Sequence, residues 1–196
     1  MKKMKVLEEF LITSHQNVRS TERTVRLHCC VLEWLKSNYP KFKLYDWEFE
    51  YSISGDGYGG SFKIDIVGLN NDIPKIAVLV KCPNTNIGKN LKNYANTQCG
   101  ESGRIRYWKE GVINEIFFVT IFPSIDPVFT NNGEWKNGDL LRMMKHTNPT
   151  RVIKGDASGT NTKVELIDIC YDIGDLSQKR TRDDFKIIKP VNIRIL

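Results

Sequence analysis

A chain of 196 residues has the length of one domain, and 40% apolar with 27% charged side chains is the balance of an ordinary globule, not of a disordered or fibrous chain. No apolar run approaches the roughly 20 residues of a membrane span, and Glu8 and Glu9 interrupt the opening "MKKMKVLEEFLI" where a signal peptide would be apolar. A formal charge of +6 favours a polyanionic partner such as nucleic acid.

In chain order, the N-terminal stretch reads as a short helix. "STERTVRLHCCVLEWLKSNYP" follows as a longer one, with Ser20 and Thr21 as capping candidates. Val25, Cys29, Leu32, Leu35 and Lys36 recur there at helical spacing, and Pro40 ends the helix. "KLYDWEFEYSI" alternates, placing Tyr45, Trp47, Phe49, Tyr51 and Ile53 on a core face and Asp46, Glu48 and Glu50 on a polar one. "SGDGYGG" is a connection, and "SFKIDIVGL" and "KIAVLVK" are two more strands joined through "NNDIP".

After Pro83, "NTNIGKNLKNYANTQ" reads as a polar helix carrying Ile87, Leu91 and Tyr94 on one stripe, followed by a loop "GESGRIRYWKEG". "INEIFFVTIFP" is nearly all apolar, as expected for the middle of a sheet. "NNGEWKNGDLLRMMKHTNPT" suggests one short helix amid loops, "KVELIDICYDI" another strand, and "QKRTRDDFKIIKPVNIRIL" a basic tail ending in an apolar piece. The fold class expected is α/β, a mixed α+β sheet in a single domain over 1–196. Its core spans about 20–123 and a C-terminal elaboration about 124–196. Five cysteines without a C-x-x-C pair, and three scattered histidines, argue against structural zinc or a disulfide framework. That usage fits a reducing, cytoplasmic compartment.

The stretch "KIDIVGLNNDIPKIAVLVKCP" places an aspartate and a lysine inside neighbouring apolar strands, where either charge is costly to bury. If the glycine-rich loop is centred between Gly57 and Tyr58, Glu50 faces Asp65. If the next turn centres on Asp72, Asp65 faces Leu79. Side-chain alternation then puts Asp65, Leu79 and Lys81 on one side of the sheet, and Phe62, Ile64, Ile66, Ile76, Val78 and Val80 on the other. Glu50, Asp65 and Lys81 converge on one patch suited to phosphodiester hydrolysis, carboxylates holding a magnesium-type cation and lysine assisting the attacking water.

These residues resemble the PD-(D/E)xK nuclease superfamily, whose pattern is an aspartate on one strand and acid-x-lysine on the next. Asp65 matches the first acid, Lys81 the lysine, and "VLVKCP" the end of the second strand; the order helix, three strands, helix, strand matches over about Ser20 to Pro123. The chain departs at Leu79, which stands where the second acid belongs, and at Ile64, which replaces a proline. Either another carboxylate has migrated into the site (Glu50, Glu33 on the first long helix, or Glu101 after the second helix), or the chain is an inactive relative. The resemblance implies a metal-dependent DNA endonuclease of restriction or phage-defence type, releasing a 5′-phosphate.

Its implied catalytic residues are Asp65, Lys81, Glu50 and Glu33, with Asp65, Glu50 and the Val80 carbonyl as ligands of Mg2+ or Mn2+. Lys89, Gln98, Arg104, Arg106 and Lys109 are candidate nucleic-acid contacts, and Tyr107 and Trp108 interleave with them. Double-stranded DNA and a homodimer are the implied partners, without a membrane. The rival readings are a catalytically dead nuclease-fold protein that binds nucleic acid and a factor that occupies a protein partner.

Overall fold

The computed structural model describes residues 2–14, 21–54, 60–84, 87–108, 111–132, 134–138, 161–173 and 193–195. Two helices come first, α1 (Lys2–Ser14) and α2 (Thr21–Asn38), then a 3-10 turn at Pro40–Leu44. Three strands follow, β1 (Asp46–Ile53), β2 (Phe62–Asn70) and β3 (Ile73–Lys81), then α3 (Ile87–Arg106) and β4 (Glu115–Pro123). The remaining elements are β5 (Asp126–Phe129), β6 (Trp135–Gly138), β7 (Lys163–Tyr171) and β8 (Ile193–Ile195).

Among the described residues, six strands form one mixed sheet in the order β1-β2-β3-β4-β7-β8, while β5 and β6 pair as a separate ribbon. The first three strands are antiparallel, β3-β4 and β4-β7 are parallel, and β8 returns antiparallel to β7. This is the mixed α/β architecture read from the pattern, and β7 and β8 carry the sheet past residue 123. No described helix is long and apolar enough to cross a membrane.

Helices α1 and α2 cover one face. Leu7, Phe10 and Leu11 of α1 and Leu27, Val31, Trp34 and Leu35 of α2 pack with Ile66, Val78, Phe117, Val119 and Ile169. Helix α3 covers the other face: Ile105 joins Val67, Ala77, Leu79, Ile116 and Phe118, and Ile87 and Leu91 meet Phe122 and Cys170. Strand β4 lies between the two layers and is buried from Ile116 to Pro123, which accounts for its apolar sequence.

Four local expectations change. In α2 the buried stripe is Leu27, His28, Val31, Leu32, Trp34 and Leu35, while Val25 and Cys29 face outward, because α1 and the sheet flank the helix on that side. Helix α3 runs on through Gly100 and Gly103 to Arg106, where a loop was expected, since Ile105 continues its buried stripe into the second cluster. The β1 aromatics do not share one core face. Tyr45 and Trp47 pack with the first cluster, Tyr51 and Ile53 with the second, and Phe49 is 40% exposed. Phe62 and Ile64 likewise join the second cluster with Leu79, apart from Ile66. Regular alternation fails where Glu50 adopts a left-handed backbone (φ 54°), which strands do not otherwise use. The short helix expected between residues 131 and 150 falls largely outside the described residues, which there contain β6; most of the basic tail also lies outside them.

Candidate functional site

The register expected from the turns is present. Phe49↔Ile66 and Tyr51↔Ile64 bracket Glu50 opposite Asp65, and Ile66↔Val78 projects Asp65 toward Leu79. The described β2-β3 pairing ends at Ile66↔Val78, and just beyond it the Val80 N–H donates to Asp65 Oδ2 at 2.6 Å. A side-chain carboxylate thus takes a main-chain donor beyond the end of the ladder, which fixes the Asp65 rotamer. The Val80 amide is thus tied to Asp65, and the Val80 side chain lies in the first cluster.

Helix α2 brings in His28, a residue outside the sequence-derived set. It is 3% exposed and lies between two acids, Nδ1 at 3.4 Å from Glu50 Oε1 and Nε2 at 3.9 Å from Asp65 Oδ1. One donor atom from each of His28, Glu50 and Asp65 lies within 4.8 Å of the others. Burial pushes the His28 imidazole below its ordinary value, the nearby acids pull it up, and Lys81 adds to the depression. The ring is therefore neutral at pH 7, with one nitrogen lone pair to offer.

The second half of the site comes from β3 and α3. Lys81 Nζ donates to Glu101 Oε1 at 2.8 Å, and Glu101 Oε2 is buried without a hydrogen-bond partner among the described residues. Burial raises the Glu101 carboxyl above its usual range; the Lys81 ammonium opposes this and the Asp65 charge adds to it. Asp65 thus lies within electrostatic reach of both halves. Helix α3 is held so that Glu101 reaches inward: the Asp126 carboxylate accepts the Ile87 and Gly88 N–H groups at 2.8 Å each, closing the first turn. Arg23 of α2 donates to the Cys82 carbonyl at 2.8 Å, fastening the helix that carries His28 to the end of β3.

The other sequence candidates are distributed as follows. Glu33 is 69% exposed and pairs with Lys36 at 3.5 Å, away from the cluster, because His28 occupies the inward position of α2. Gln98 is buried and donates to Thr120 Oγ1 at 3.2 Å, linking α3 to β4 at the residue that pairs with Lys81. The Arg104 guanidinium lies 5.0 Å from the Phe62 ring centroid, and Arg106 closes the same helix. Tyr107 is exposed, whereas Trp108 packs beside the second cluster. Lys89 is in the first turn of α3 with its side chain outside the described set, and Lys109 lies outside the described residues. Leu79 is 1% exposed among Val67, Ala77, Ile105 and Phe118.

His28 was legible as the polar member of the Leu27-Val31-Leu35 stripe, and Glu101 as a residue one turn before Ile105 on a continued helix. No family model matches the chain, and no curated protein matches it.

Proposed function

We propose that the protein is a metal-dependent phosphodiesterase that cuts DNA, a small endonuclease of restriction or phage-defence character. The observation supporting this reading is convergence. His28, Glu50 and Asp65, from three separate elements, bring nitrogen and oxygen donors within 4.8 Å of one another beside the Lys81-Glu101 pair. The donor set fits a divalent cation, since carboxylates suit Mg2+ and an imidazole adds affinity for Mn2+. Glu50, Asp65 and neutral His28 would hold it, and such a cation supplies Lewis acidity toward the phosphate.

The chain's own groups do the rest. Lys81, 26% exposed, presents its ammonium toward a bound phosphodiester, while Glu101 orients it through the 2.8 Å hydrogen bond. Asp65 is kept in one rotamer by the Val80 amide, so its second oxygen faces the cluster without reorganisation. Resemblance of the Asp65 to Lys81 segment to PD-(D/E)xK nucleases supports the same assignment, with Glu101 providing the acid that position 79 lacks. A concerted cut through both strands of a duplex would call for two such centres and hence two copies of the chain.

The test is incubation with DNA and Mg2+ or Mn2+, comparing wild type with Asp65→Asn and Glu101→Gln. Wild type is expected to cut, and Asp65→Asn to lose cutting while still binding DNA. Binding with steep salt dependence but no cutting by wild type would replace this reading with the nucleic-acid-binding one, of which Leu79 is the mark. Neither cutting nor binding would leave the protein-partner reading.

A further inference from the structure

A groove of about 430 Å3 runs between α2 and β1, lined by Leu32, Glu33, Lys36, Tyr45, Trp47 and Phe49 among others. Strand β1 is the outermost strand of the sheet, so the groove opens at an edge that no described strand covers. The Trp47 part of its aromatic wall is held in place. The Trp47 indole stacks on Phe42 at 5.0 Å between centroids and 8° between planes, and its Nε1 donates to the Phe42 carbonyl at 2.9 Å. It also lies across Gly68, where any Cβ would come within 2.9 Å of the ring. Tyr45 meets Trp47 edge-on at 6.2 Å. Phe49, 40% exposed, lies parallel to His28 at 6.5 Å and 7°, and the next residue is Glu50. The groove and the donor cluster therefore share a wall.

From this continuity we infer that the groove receives an unpaired base of a single-stranded nucleic acid whose phosphodiester lies at the His28-Glu50-Asp65 cluster. The inference rests on the nuclease reading and names its substrate class. Phe49 supplies a stacking face beside the site, and an aromatic side chain with two χ angles gives such a face at little entropic cost. The polar groups on the groove's walls are mixed in sign: Glu33 pairs with Lys36, and the Asp46 carboxylate is close by. That lining suits the neutral, donor-bearing edge of a base better than a phosphate, carboxylates accepting from an exocyclic amino group as they do at cytosine. A base within a duplex is stacked on its neighbours and paired, so only an unpaired one can enter.

The experiment measures binding of labelled oligonucleotides to the full chain in EDTA, where no cation-dependent cleavage occurs. The probes are a single strand, the same strand carrying abasic positions, and its duplex. Variants are Phe49→Ala, Phe49→Trp and Tyr45→Ala, with circular dichroism as the check on folding. Expected are tighter binding of the single strand than of the duplex and weaker binding of the abasic strand. Phe49→Ala should weaken single-strand binding about tenfold, Phe49→Trp should retain it, and Tyr45→Ala should weaken it as well. Equal binding of intact and abasic strands, or a Phe49→Ala protein that binds like wild type, overturns the proposal. So does a change from dimer to monomer on Phe49→Ala without loss of binding, which would assign the groove to a second copy of this chain. Cleavage is scored separately with Mn2+. If wild type cuts single strand and duplex alike and Phe49→Ala cuts as wild type does, the groove inference fails alone. If nothing is cut while single-strand binding holds, the nuclease reading fails alone.

Discussion

Replacing Leu79 with glutamate restores the acid-x-lysine pattern on paper, and the structure indicates that it should damage the protein without making it a better enzyme. Leu79 is 1% exposed, packed with Val67, Ala77, Ile105 and Phe118 between β3 and α3. Losing a buried leucine costs about 2–5 kcal/mol. Introducing a carboxyl with no partner in that cluster adds about 1–3 kcal/mol, the group staying protonated instead of carrying charge into hydrocarbon. The sum, about 3–8 kcal/mol, is a large share of the roughly 5–15 kcal/mol that keeps a domain folded. In urea unfolding, a loss of about 4 kcal/mol lowers the midpoint by about 2 M for a slope near 2 kcal/mol per M. The loss should deepen as pH rises above about 4.3, because the unfolded chain then releases a proton that the folded one retains. Leu79→Met, which conserves volume, should cost less than about 1.5 kcal/mol. A Leu79→Glu protein as stable as wild type, with cation-dependent cutting that wild type lacks, would refute the assignment of the second acid to Glu101.

Other outcomes can be checked alongside. Mn2+ should raise the melting temperature of wild type and not of Asp65→Asn or His28→Ala, as expected for a ligand that binds only the folded cluster. Because burial depresses His28, Mn2+ affinity by calorimetry should hold down to pH 6.5, its ordinary value, and fall only as pH drops through the lower folded value and the imidazole protonates. For Glu101 the folded carboxyl is raised above 4.5, so its favourable contribution is full below that pH and is lost as pH rises through the folded value. Glu101→Gln should remove that slope, and denaturation at several pH values measures it. Asp126→Ala, which strips the two N–H groups of the first α3 turn of their acceptor, should cost about 1–3 kcal/mol in the same assay.

The sheet was largely readable because period-two alternation and two short turns fix strand register, and that arithmetic placed Glu50 opposite Asp65. What alternation could not supply was the break at Glu50, whose positive φ sends Phe49 outward; no residue type there announces it. His28 does not stand out in the sequence because Val25 and Cys29 offer an equally apolar helical stripe, and the choice between stripes depends on which side α1 and the sheet occupy. By sequence Glu101 reads as a loop carboxylate, since Gly100 and Gly103 weaken helix propensity; the packing of Ile105 outweighs them. Lys81 was legible as a residue and Glu101 as one of three acids that could join it, but not their contact, which joins positions 20 apart on two elements.

An acid borne by α3 escapes the parity that binds residues 79 and 81 of β3. Two side chains on one strand face keep a fixed spacing, so any shift that moves the acid moves the lysine with it. Glu101 travels with a separate rod, anchored at its start by Asp126 and along its length by Ile105. The placement of Glu101 relative to Asp65 is therefore set by how α3 packs on the sheet, not by strand register. The acid and the lysine thus sit on different elements and meet only through their 2.8 Å contact.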